Sequence, residues 1–146
     1  MGFQFFDHTA DLAVDLTALT AGELFGEALA AFTEALTEGE RIEERVERRF
    51  ELASTALDLL LVDWLGELLY AFEIEELLFR RAEVEITGGG VARSEGEVRL
   101  AAVAHGEPRD EARHPIKVLI KGITYHGLEV AEDPDGGWRG RVIFDI

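Results

Sequence analysis

Apolar and polar residues alternate in short runs at both ends of the chain, and between those ends lie two longer stretches with apolar residues at helical spacing. Residues 3–6 and 12–16 have strand character, the second run setting Leu12, Val14 and Leu16 against Ala13 and Asp15. Thr20-Ala21-Gly22-Glu23 matches a capping box, in which a threonine oxygen satisfies an amide N–H at the start of a helix. Leu24, Phe25, Ala28, Leu29, Phe32 and Leu36 follow on one face, predicting an amphipathic helix that ends near Gly39. A charged strand over 44–53 leads to Ser54 or Thr55 as the expected cap of a second helix. There Leu57, Leu60, Leu61, Trp64, Leu65, Leu68, Leu69 and Phe72 form a wide stripe, with Leu59, Val62 and Tyr70 adding apolar surface elsewhere. A helix apolar around most of its circumference belongs at the centre of a domain. Core packing is therefore the expected role of Trp64 and Tyr70, in preference to ligand stacking.

Strand patterning resumes over 80–86. Gly88-Gly89-Gly90 turns the chain into a further strand over 91–105; no Gly-Lys-Ser/Thr follows the glycines and no helix opens there, which excludes a phosphate loop. Residues 106–115 read as a polar loop, followed by strands over 116–123, 125–131 and 138–144. Asp133-Pro134-Asp135-Gly136-Gly137 supplies turn chemistry between the last two. The pattern predicts an α+β fold, a single two-layer domain spanning residues 1–146, with a mainly antiparallel β-sheet packed against two α-helices.

Charge changes the picture more than any other compositional property. Thirty acids against fourteen bases give a formal net charge of −16, which repels a phosphate backbone and argues against direct, tight RNA binding. The same surface can steer toward a basic protein, although plain solubility explains it equally. With no cysteine, disulfides, thiolate zinc sites and a cysteine nucleophile are excluded, and an intracellular, cytoplasmic location is expected. No stretch has the length of a membrane span free of charge, so no membrane partner is expected.

The candidate chemistry lies at the two ends. Asp7-His8-Thr9-Ala10-Asp11 places two carboxylates and an imidazole close together, and Asp145 and Ile146 add a side-chain and a main-chain carboxylate. Short oxygen ligands suit Ca²⁺, Mg²⁺ or Mn²⁺, and an acid cluster needs a cation or hydrogen-bond donors to offset its repulsion. The competing reading makes Asp7 and Asp11 turn residues that satisfy backbone N–H groups. Nucleophilic machinery is missing: Ser54 and Ser94 lie in no Gly-x-Ser-x-Gly elbow, and no histidine pair has the spacing of a helical zinc site. His105 and His114 are expected to be structural or incidental. Parity in the last strand puts Arg139, Arg141, Ile143 and Asp145 on one face and Trp138, Val142 and Phe144 on the buried one.

Read in order, Phe5-Phe6-Asp7-His8-Thr9-Ala10-Asp11, the stretch from Asp63 to Tyr70, Gly106-Glu107-Pro108 with His114-Pro115, Lys121-Gly122-Ile123-Thr124-Tyr125-His126-Gly127-Leu128, and the closing Arg141-Val142-Ile143-Phe144-Asp145-Ile146 closely resemble the archease family. The resemblance covers essentially the whole chain. It implies a small acidic protein that is not itself an enzyme. Its expected role is to activate the RtcB-type RNA ligase, which joins a 3′-phosphate or 2′,3′-cyclic phosphate end to a 5′-hydroxyl in tRNA splicing and RNA repair. The activator promotes formation of the ligase's guanylylated histidine, and RNA is met only through the ligase. The resemblance also implies a divalent-metal site at Asp11, Asp145 and Ile146, with Asp7 and His8 in support. Ca²⁺ is expected in isolation, with Mn²⁺ or Mg²⁺ as alternatives. A general chaperone or modulator of tRNA-modifying enzymes is the alternative role, and a free-standing metal hydrolase a third. Glu73-Ile74-Glu75-Glu76 departs from the Phe-Asp-Thr-Glu-Gly-like turn of many relatives.

Overall fold

The first helix begins where its capping residue places it: Thr20 Oγ1 accepts the N–H of Glu23 at 3.1 Å, and α1 runs over Ala21–Leu36. The computed structural model describes residues 2–7, 11–88 and 96–146. In chain order these form β1 (Gly2–Asp7), β2 (Asp11–Ala18), α1, β3 (Val46–Ser54), α2 (Leu57–Glu73), β4 (Leu77–Gly88), β5 (Val98–Pro108), β6 (Gly122–Glu132) and β7 (Trp138–Asp145), with a short 3-10 turn over Gly39–Arg41. All described strand pairings are antiparallel, as the α+β reading expects. The strands divide between two sheets, however, ordered β1-β2-β7-β6 and β3-β5-β4. Both sheets and both helices contribute to one hydrophobic cluster.

The reason for that cluster lies in α2. Trp64, Leu60, Leu61 and Leu65 are fully buried, and the Trp64 indole N–H donates to the carbonyl of Phe25 in α1 at 2.9 Å. The indole also meets the Phe50 ring of β3 edge-on, with centroids 5.2 Å apart. A buried indole with its one donor satisfied contributes apolar burial without a desolvation cost. The core role expected of Trp64 is thus found, whereas Tyr70, 54% exposed, lies on the outward side of the same helix.

Three local expectations are corrected. Ser54 ends β3, and Ala56 occupies the cap position of α2 without a side-chain hydrogen bond. Residues 116–121 do not form a strand, and β6 begins only at Gly122. The alternation there comes instead from Ile116 and Ile120 plugging an irregular connection into the core, while the Lys117 N–H bonds the Leu36 carbonyl at the end of α1. Finally, 106–108 belong to β5 and not to a loop. Gly106 has a specific reason to be glycine: a Cβ there would sit 1.8 Å from the Leu78 carbonyl oxygen of β4, where the pairing register slips between Phe79 and Arg81. The turn expected at the triple glycine, and the start of the strand expected from 91, fall largely outside the described residues. Among the described residues no helix is long and apolar enough to cross a membrane.

Candidate functional site

Strands β2 and β7 lie side by side in the middle of the four-stranded sheet, and their register fixes what each outward side chain faces. Leu12, Val14 and Leu16 alternate toward the core opposite Phe144, Val142 and Gly140. The intervening residues therefore share the outer face. Along that face Asp15 opposes Arg141, and the guanidinium grips the carboxylate with two bonds of 2.6 and 2.9 Å. The Arg141 hydrogen bonds hold the Asp15 carboxyl below the usual range, against the opposing pull of burial. Arg139, one step further, pairs with Glu129 of β6 at 3.1 Å.

One position in this ladder breaks the pattern of acid against base. Asp11 opposes Asp145. Cross-strand partners have Cβ atoms roughly 4.5–5.5 Å apart, so two half-buried carboxylates face one another. Among the described residues neither is bonded by a side-chain donor or cation. The backbone around them is tied down: the Lys121 N–H donates to the Asp145 carbonyl at 2.6 Å, Gly122 of β6 faces Asp145 from the other side, and Ile146 packs against the core. Two short-chain carboxylates beside a fixed main chain offer oxygen donors of the kind a hard divalent cation takes, two of the roughly six to eight such an ion ordinarily has. The described residues bring together these two acids and no cluster of three metal-ligating side chains. In the backbone register Asp7 of β1 opposes Leu12, one position from Asp11. His8 lies outside the described residues.

The site's residues, their order and the fold that assembles them converge on one set of relatives. The archease protein family (MTH1598/TM1083) matches residues 3–146. The chain belongs to the archease family. Relatives named protein archease include that of Methanosarcina mazei, 37% identical over 144 residues covering 99% of this chain and 95% of that one. The Methanopyrus kandleri protein is 34% identical over the full length of both chains. The solution structure of protein 1598 from Methanobacterium thermoautotrophicum superposes with a TM-score of 0.79 at 31% identity, covering 99% of each chain.

A second polar cluster was not legible in the sequence. Glu107, with a side chain only 3% exposed, accepts two bonds from the Arg113 guanidinium (3.0 and 2.8 Å), one from the Glu43 N–H (2.8 Å) and one from His114 Nε2 (3.0 Å). The Asp110 N–H donates to His114 Nδ1 at 2.9 Å, so the imidazole is neutral with its proton on Nε2. The Gly-Glu-Pro and His-Pro motifs mark this cluster. Nothing in their spacing says that the acid is buried, because a glutamate beside proline ordinarily faces water. With these partners in place, the network staples the β5–β6 connection to the chain entering β3.

That staple has a measurable pH signature. The Arg113 bonds, helped by Glu43 and His114 and opposed by burial, hold the Glu107 carboxyl down to about 2. A depressed acid stabilises the fold above its unfolded value of 4.5 and loses that contribution as pH falls toward 2. The loss is expected to be on the order of 3 kcal/mol. Urea unfolding at pH 6 and pH 2.5 should show wild type losing this much more stability than Glu107→Gln; parallel losses in the two proteins would contradict the assignment.

Proposed function

We propose that this chain is an accessory activator of an RtcB-type 3′-phosphate RNA ligase in tRNA splicing and RNA repair, and that it acts through a divalent metal held at its paired carboxylates. The observation that carries the proposal is the opposition of Asp11 and Asp145 on adjacent strands of a family member. Two acids placed face to face in a chain of net charge −16 repel each other unless a cation joins them. The metal, when bound, supplies positive charge beside the ligase's nucleotide and phosphate groups. On this reading Asp11 and Asp145 would hold it, a main-chain oxygen of Ile146 would add a ligand, and Asp7 and His8 would take supporting roles. The chain itself contributes no nucleophile. Its role is to favour guanylylation of the ligase histidine, after which the ligase performs the joining. RNA contacts remain with the ligase, because the acidic surface repels phosphate.

The decisive experiment measures RNA joining by the cognate ligase in excess substrate, with and without substoichiometric activator. Wild-type protein is expected to convert a single round of joining into many and to raise the guanylylated fraction of the ligase. Unchanged turnover with the cognate ligase would overturn the reading, and RNA joining or hydrolysis by this chain alone would replace it with an enzyme.

A further inference from the structure

The outward side of α2 does not face bare solvent across a smooth surface. Between α2, β3 and β6 lies a groove of about 490 Å³ walled by Leu52, Val62, Tyr70 and Ile123, with Asp63 and Glu67 beside them. Three features of this groove are left unexplained by the chain's own packing.

The first is Gly66, which lines the groove in the middle of α2. Glycine is the poorest helix former after proline, and mid-helix glycine is ordinarily explained by a neighbour that leaves no room for a side chain. Here a Cβ would meet nothing within 4 Å. The glycine therefore keeps a notch open on the helix surface. The second is the Tyr70 ring, more than half exposed one turn further along. The third is electrostatic. Asp63 and Glu67 are four residues apart on one helical face, where like charges repel, and among the described residues no cation pairs with either. Partial burial against the groove pushes the Asp63 carboxyl upward, yet the residue stays exposed, open to an incoming cation.

An apolar notch bordered by two uncompensated acids is complementary to an apolar side chain flanked by lysine or arginine. RNA does not fit, since its phosphates meet Asp63 and Glu67. A second copy of this chain brings another surface of the same sign. We infer that the groove is the docking site for a basic, apolar segment of the partner protein, which, on the activator reading above, is the ligase. Its position supports that role. Ile123 follows Gly122, and Gly122 faces Asp145 across the β6–β7 pair. A segment seated in the groove thus lies against the edge strand whose inner neighbour carries the carboxylate site.

The test measures binding of the purified cognate ligase to metal-loaded protein by calorimetry. Two groove variants are compared: Asp63→Lys/Glu67→Lys, which reverses the charge, and Gly66→Gln, which fills the notch without changing it. Glu51→Lys/Glu85→Lys, on the outer face of the three-stranded sheet, is the control of equal charge change. Both groove variants are expected to bind the ligase at least about tenfold more weakly, the control within about twofold of wild type, and all three to keep wild-type Ca²⁺ affinity. Gly66→Gln should melt no lower than wild type, since it replaces a poor helix former. If wild type activates the ligase and both groove variants bind it as wild type does, the groove is wrong and the activator reading stands. If wild type neither binds nor activates the ligase, both fall together.

Discussion

Asp11→Asn should be more stable than wild type in chelator and less stable than wild type in saturating Ca²⁺ or Mn²⁺. The first half follows from the register: two carboxylates directly opposite one another destabilise a sheet, and neutralising one removes about 0.2–1 kcal/mol of repulsion. The second follows from linkage. A metal that binds only the folded chain adds about 2.7 kcal/mol at a hundredfold excess over its Kd, and a variant lacking one of two carboxylate ligands forfeits most of that gain. The order of the two unfolding curves therefore inverts when metal is added. Asp145→Asn should invert in the same way, because the two acids face one another and neither has another side-chain partner among the described residues. Loss of ligase activation should accompany both variants while the fold persists. Denaturant curves that keep the same order with and without metal would remove the site, whatever the ligase assay shows.

The other large effect lies in the core. Leu65→Ala should destabilise the fold by roughly 2–5 kcal/mol, because its side chain is fully buried in the cluster that joins both sheets and both helices. The spread reflects how far neighbours relax into the space left behind. Urea unfolding checks this directly, with the midpoint falling and the slope unchanged if only the native state is affected. A shift below about 1 kcal/mol would show that the helix stripe is not the packing centre. Under native conditions metal affinity should survive, since Asp11 and Asp145 lie on the opposite face of their sheet from the core.

How much of this was readable in the chain differs by element. Thr20 and the spacing from Leu24 to Leu36 located α1 because local capping chemistry and one-face periodicity agree there. The centrality of α2 was legible from its apolar circumference, although its cap was not: Ser54 remained in the strand, where sheet pairing with Val98 outcompeted a helix cap. Residues 116–121 misled because isoleucines packed toward the core from an irregular segment space themselves as a strand's would. The division into two sheets was invisible, since periodicity reports which residues face inward and not which strands pair. For the site, strand parity brought Asp145 to the outer face, but only the pairing of β2 with β7 shows that it faces Asp11. The Glu107 staple eluded the sequence because its logic is wholly tertiary: Arg113, His114 and the Glu43 N–H converge from two separate connections.

The strand order has a kinetic meaning. Residues 11 and 145 meet only when β2 and β7 pair, a contact that spans nearly the entire chain and closes the longest loop among the described strand pairings. Such closures carry the largest entropy cost and come late in folding, so a chain with its helices formed but this sheet still open has no opposed carboxylates to offer. If Asp11 and Asp145 hold a metal as proposed, its uptake would report completion: only finished molecules would hold the ion, and the ion in turn would slow their reopening.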